Sequence, residues 1–412
     1  MTQTMAYVVL LVGGVLALST LIRPGLEKLR IPALVGYLVL GLILRLAETQ
    51  VHFLSQHVRE IFEYMAQMGL VALLFRVGLE SDLVGLLAQL RRASIVWAAN
   101  LVVSGLAGFA VALALGLSWM TGLILAVAFT ATSVGVTVGI WQEADALRCP
   151  SGRLLVDVAE LDDISAVLLM ALLFSVLPDL RSGGSGAGAD VAATLAWFAL
   201  KILIYGAFCY VFSKFVEGPL TRWYRNLEKP PEPMILVIGL GTLIAAVAGL
   251  LGFSLAIGAF FAGLIFSRDP ESVKMEGSFL PLYEFFAPFF FIGIGLSLDP
   301  AHLAPAFGLG LVLTVAAAAS KFVGNAAPVY YMTGVSGAVL IGSSMIPRAE
   351  ITMVIMQKGL EMGPWAVPPH VYGAMVVVSA ATCLGAPFLV KHLLATCLPK
   401  MENESWTSNH CD

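Results

Sequence analysis

One kind of segment recurs along the whole chain: an apolar run of about twenty residues closed by a short polar turn. A hydrocarbon core of about 30 Å asks for a helix of about that length. On this measure thirteen segments stand out, approximately 5–22, 31–46, 62–79, 94–116, 118–140, 152–177, 191–215, 234–251, 253–267, 281–298, 304–332, 335–360 and 370–396. Only 12% of the 412 residues are charged and 59% are apolar, with a mean hydropathy of +0.90. Soluble domains carry about twice that share of charge, so this chain lacks the polar surface to cover a water-soluble body. The expectation is an all-α polytopic membrane protein of about 13 transmembrane helices. The same numbers exclude a soluble enzyme, and the net charge of −4 offers no basic face for nucleic acid. Five cysteines in or beside apolar runs do not make a disulfide scaffold.

Loop charge orients the spans. With the N-terminus outside, fifteen of the 23 lysines and arginines fall in cytoplasmic loops, and only Arg45, Arg59, Arg181 and Lys358 fall outside. That bias places the C-terminus on the cytoplasmic side, and the expected location is the cell inner (plasma) membrane. Arg76, Lys201, Lys321 and Arg348 lie within spans. A stiff break from Lys229 to Pro233 divides the chain into comparable halves, which suits an internally repeated transporter. Residues 1–400 read as a single transmembrane unit and 401–412 as a short cytoplasmic tail, with no soluble regulatory domain.

Ionisable side chains inside a span are costly, and by default they mark function. The sixth segment holds Asp157, Glu160, Asp162 and Asp163. At 1.5 Å per residue, Asp162 and Asp163 sit about 15 Å along that helix, near the bilayer midplane. Neighbours on a helix diverge by about 100°, so one carboxylate is free to take a cation while the other pairs with a base. Asp157 and Glu160 read either as functional acids or as solvated groups in a cytoplasmic funnel. Lys321, alone in the middle of the eleventh segment, is the base that the acids need. Arg76 has Glu80 four residues on, an intrahelical pair. Lys201 snorkels or meets a lipid headgroup.

Two spans are interrupted. Thr130-Ala131-Thr132-Ser133-Val134-Gly135 breaks the fifth, and the stretch from Gly342 through Pro347-Arg348-Ala349-Glu350 breaks the twelfth. Proline removes a backbone donor, and short hydroxyls stand in for the lost partners. Broken spans at matching places in two halves point to a midplane ion site. Arg348 and Glu350 are expected to neutralise each other or the facing broken helix.

These pieces, with Gly258-Ala259-Phe260-Phe261-Ala262-Gly263-Leu264 and Phe290-Phe291-Ile292-Gly293-Ile294-Gly295-Leu296, lie in order over nearly the whole chain. The chain resembles the monovalent cation/proton antiporter superfamily, in its two-aspartate bacterial Na+/H+ or K+/H+ branch. The resemblance implies inverted repeats with two crossed discontinuous helices. It also implies a homodimer embedded in membrane lipid. A mobile core (approximately 62–177 and 281–360) would pack on a dimerisation scaffold (approximately 5–46 and 191–267). By the same resemblance Asp163 is the principal cation ligand and Asp162 the partner of Lys321. Thr132 and Ser133 neighbour the ion, and Arg348 with Glu350 form a structural charge pair. No cofactor is expected beyond the transported Na+ or K+ and H+. Asp157, Glu160, Arg76 and the alanine at 349 depart from the family pattern.

The expected function is exchange of a monovalent cation, Na+ first and K+ or Li+ next, for protons. A cation channel or a sodium-coupled symporter on the same fold is the alternative. An intramembrane prenyltransferase would need a second acid-rich cluster for divalent metals. An aspartyl protease would need its acids on two separate spans.

Overall fold

The structure is a computed structural model. It describes the chain except residues 1, 29–30, 52–54, 81–82, 134, 145, 148, 183–186, 218, 220–222, 224–232, 252, 254, 268–271, 299 and 404–412. The break from Lys229 to Glu232, Val134 of the first interruption and most of the C-terminal tail therefore lie outside the described residues.

Among the described residues there are fourteen α-helices and no strand. In chain order they are α1 (Thr2–Lys28), α2 (Ala33–Val51), α3 (Gln56–Glu80), α4 (Leu83–Ala114), α5 (Trp119–Thr130), α6 (Gly135–Glu143) and α7 (Pro150–Ser182). Then follow α8 (Ala187–Val211), α9 (Pro233–Leu250), α10 (Leu255–Phe266), α11 (Ser272–Leu296), α12 (Leu303–Ser344), α13 (Glu350–Glu361) and α14 (Pro369–Asn403). Nine described helices are long and apolar enough to cross a membrane, and three apolar helices are shorter. Each of the thirteen apolar segments is mainly helical, two of them with a break inside, but these lengths do not fix the number of crossings at thirteen.

α12 shows why length alone misleads. A straight helix of 42 residues would run about 63 Å, twice the hydrocarbon core. It turns at Gly334, whose φ of 75° lies in the left-handed region that favours glycine. Beyond the turn Gly342 lies against Phe322 and Ala326 of the first limb, where a Cβ would come within 2.9 Å of the Ala326 methyl. The two limbs thus pack against one another, and the turn between them falls at the boundary that the apolar pattern gives between 332 and 335.

The chain divides into two compact units. The first comprises residues 1–22, 47–84 and 171–293. Its core is aromatic, with Phe75, Tyr205, Phe266 and Phe279 buried together. Here α3 and α10 cross at glycines, since a Cβ on Gly78 would sit 2.1 Å from the Phe260 carbonyl oxygen. Small residues let backbones approach in lipid, where dispersion and not water exclusion drives helix association.

The second unit comprises residues 23–46, 85–170 and 294–412. α12 and α14 pack extensively here, and Trp141, Leu155, Val329 and Leu340 are fully buried in its core. All the candidate site residues from Thr132 to Glu350 belong to the second unit.

Candidate functional site

Both expected interruptions are present, and they meet. α5 ends at Thr130, and Ala131 is extended (φ −65°, ψ 148°) before α6 begins. α12 ends at Ser344, and Ala349 (φ −140°, ψ −92°) precedes α13. The two breaks join through their backbones: the Ser133 amide donates to the Pro347 carbonyl at 2.8 Å. Thr137 Oγ1 on α6 donates to the Ser344 carbonyl at 3.0 Å, and Trp141 Nε1 to Ser344 Oγ at 2.9 Å.

A broken helix leaves its last carbonyls and its first amides without partners. Arg348 meets the first need. Its guanidinium is fully buried and donates to the carbonyls of Ala128, Phe129 and Ala131 at the end of α5, and to Ala317 on α12. Lys321 adds a bond to the Thr130 carbonyl. Two cations thus cover the negative end of the α5 dipole. Glu350 stands in the first turn of α13, at the positive end of that dipole, and accepts from the Ser133 hydroxyl.

Of the two outcomes expected for Arg348 and Glu350, the structure has the second: they do not bond to each other, and each engages the facing break and serves a helix end of opposite polarity. Helix-end demand outweighs the attraction of two charges two residues apart in sequence.

Asp162 and Lys321 do meet. Their side chains are fully buried, with Lys321 Nζ 2.8 Å from Asp162 Oδ2. Thr132 Oγ1 donates to the same oxygen at 2.6 Å. Asn100 on α4 donates its amide to Oδ1 at 2.8 Å and to Oδ2 at 2.9 Å. The Asp162 carboxylate is thus held by an ammonium, a hydroxyl and an amide.

Asp163 is its opposite. Its Oδ1 is buried and has no hydrogen-bond partner. It lies within electrostatic reach of Asp162, Glu350, Lys321 and Glu160. Among Asp162, Asp163, Glu350, Lys321 and Arg348, three carboxylates face two cations. Fully ionised, these five groups carry one uncompensated negative charge in a largely buried setting, which a proton or a monovalent cation would neutralise.

The other sequence candidates fall into place around this centre. Thr132 bonds to Asp162, and Ser133 faces Glu350 instead. Asp157 is buried and Glu160 half buried on α7, each with partners of its own. In the first unit Arg76 pairs with Glu80 and lies over the Tyr283 ring, 4.6 Å from its centroid. Lys201 lies over the Trp197 ring at 5.7 Å.

Asn100 was not among the expected residues, because attention to formal charge passes over an amide. A signal was there: Trp97, Asn100 and Ser104 recur at helical spacing on one face of an apolar helix. Trp97 Nε1 donates to Ser165 Oγ at 3.0 Å, and Ser104 Oγ donates to Asn100 Oδ1 at 3.0 Å.

The model of the transmembrane sodium/hydrogen exchanger family matches residues 14–396. A Na+/H+ antiporter of Enterococcus hirae is 26% identical over 370 residues, covering 89% of this chain and 92% of its own. The Na+/H+-K+ antiporter GerN of Bacillus cereus is 25% identical over 383 residues, covering 92% and 94%. The solved structure of the sodium proton antiporter MjNhaP1 from Methanocaldococcus jannaschii has the same fold. Its TM-score is 0.63 at 16% identity, over 98% of this chain and 99% of the other.

Proposed function

The chain belongs to the sodium/hydrogen exchanger family, and on that premise we propose that it exchanges Na+ for protons by alternating access at a site centred on Asp163. K+ and Li+ are the other candidate cations, and the relatives named above as Na+/H+ and Na+/H+-K+ antiporters support this order. One observation carries the reading: of two adjacent acids, fully buried Asp162 is held by three donor side chains while half-buried Asp163 keeps a buried oxygen with no partner. An orphaned buried acceptor is rare and calls for an ion or a proton.

Asp163 holds a proton or the cation, never both in full. The arriving cation draws on the negative potential of Asp162, so Lys321 is released from that carboxylate and gives up its proton. When the cation leaves, the ion pair re-forms. Two protons per monovalent cation would move charge, and the membrane potential would then drive the cycle at about 2.3 kcal/mol per charge per 100 mV. The chain sits as a homodimer in the inner membrane, with its N-terminus outside and its C-terminus in the cytoplasm. Thr132 and Ser133 line the approach to the ion, and Asp157 and Glu160 lead to it from the cytoplasmic side.

Proteoliposomes with an acidic interior and a pH-sensitive dye test this. Added Na+ should collapse the gradient even with the membrane potential clamped at zero, and Asp163→Ala should abolish the effect. Collapse only under a permissive potential would indicate a channel. Wild-type exchange by Asp163→Ala would overturn the site.

A further inference from the structure

The ion pair in this site has to open during each cycle, and its opening poses a problem. If Lys321 leaves Asp162, a carboxylate with 0% exposure loses its counter-ion in a dry interior. Removing one partner of a buried pair is strongly unfavourable because it strands the other charge. Something must hold the carboxylate while the ammonium is away.

We infer that Asn100 is a positioning residue that keeps the Asp162 carboxylate solvated by protein, so that Lys321 can let go. The inference rests on the reading of Asp162 and Lys321 given above. Three observations carry it. First, the Asn100 amide reaches both oxygens of the carboxylate, at 2.8 and 2.9 Å, with both side chains fully buried. An amide carries no charge, so it supports the anion without competing for Lys321. Second, its orientation is fixed. Ser104, one turn along α4, donates to Asn100 Oδ1 and so commits the NH2 group to Asp162. Third, the helix crossing is shaped to bring it there. At Gly324 on α12 a Cβ would fall 2.8 Å from the Asn100 Cα, and at Gly108 on α4 one would fall 2.7 Å from the Leu125 carbonyl oxygen of α5. Glycines at these two crossings let α4 approach both α12, which carries Lys321, and α5, which leads into Thr132.

Once Lys321 departs, Asp162 retains the amide and the Thr132 hydroxyl, which put a hydrogen bond on each oxygen and lower, without removing, the cost of the stranded charge. Asp162 thus stays a fixed anion, and Asp163 alone alternates between cation and proton. Asn100 sets how fast the pair opens and leaves the grip of the cation on Asp163 unaltered.

The test is Na+-driven exchange in proteoliposomes by purified Asn100→Leu, Asn100→Gln and Ser104→Ala, with Asp163→Asn measured alongside. Leu keeps the volume and removes the donor. It should lower the maximal rate about ten- to a hundredfold, the worth of one hydrogen bond to a charged group, and leave the Na+ KM near the wild-type value. Asn100→Gln retains the amide and should recover most of the rate, which a packing role would not predict. Ser104→Ala leaves the core filled and keeps the test readable if the Leu variant does not fold; it should slow exchange severalfold. Wild-type rates in Asn100→Leu and Ser104→Ala would overturn the inference. So would an Asn100→Gln as slow as Leu, or a KM that rises as the rate falls. If Asp163→Asn is dead while Asn100→Leu is normal, only this inference fails. If Asp163→Asn exchanges normally, the reading of the site fails with it.

Discussion

A saturated carboxylate and an unsatisfied one, side by side on α7, answer differently to neutralisation. Asp163→Asn removes a half-buried charge that has one buried oxygen without a hydrogen-bond partner, so the melting temperature in detergent should hold or rise while exchange is lost. Lys321→Met strands Asp162 and should destabilise the protein by about 3–5 kcal/mol, a fall readable in the same melt. Adding Asp162→Asn to it should restore much of that loss, because the two changes together remove the pair and leave no lone charge. A double variant as unstable as the single one would contradict the pairing. The reach of sequence reasoning is also set at this scale. Two adjacent acids and one lysine inside apolar runs are conspicuous, since lipid makes each of them expensive. Which acid takes the lysine was available only through resemblance. The donors that decide it, Asn100 and Thr132, come from α4 and the break after α5, roughly 30 to 60 residues away. Neither is ionisable, and no spacing rule links them to α7.

The elements owe their arrangement to helix ends. Pro347 and the hydroxyl-rich run at 130–133 announce both breaks in the sequence, and the structure has them there. The sequence left two uses of these charges open, pairing with each other or neutralising the facing break, and the structure has the second. Arg348 and Glu350 look like a pair because they are close in the chain. Yet the free carbonyls of α5 take the one and the first turn of α13 holds the other. Arg348→Lys should therefore fail even though it conserves charge. A lysine ammonium cannot span the carbonyls of Ala128, Phe129 and Ala131 on one side and Ala317 on the other, as the guanidinium fork does. The loss of even one such charged hydrogen bond is about 1.5–3 kcal/mol, so the variant should melt earlier and exchange poorly. Wild-type stability would show that the carbonyls have other donors. The turn at Gly334 was legible as a boundary between two apolar runs, whereas the packing of one limb on the other depended on Gly342 and could not be read from periodicity.

At the scale of the whole molecule, the fold follows from scarcity of charge and abundance of glycine. Apolar segments that cannot face water become helices in lipid, and glycines such as Gly78 and Gly324 let those helices close on one another. Among the described residues the fully buried charges, Asp162, Lys321 and Arg348, lie at the two crossed breaks of the second unit. With Asp163 and Glu350 beside them, the balance of three acids to two bases predicts a molecule whose cation uptake is tied to proton release. Calorimetry measures that tie directly. Na+ is titrated into the purified protein in two buffers of equal pH and different ionisation enthalpy. The wild-type binding heat should differ between the buffers in the sense of proton release, and Asp163→Asn should give no binding heat in either. Binding heats that are the same in both buffers, or proton release undiminished in Asp163→Asn, would contradict the account.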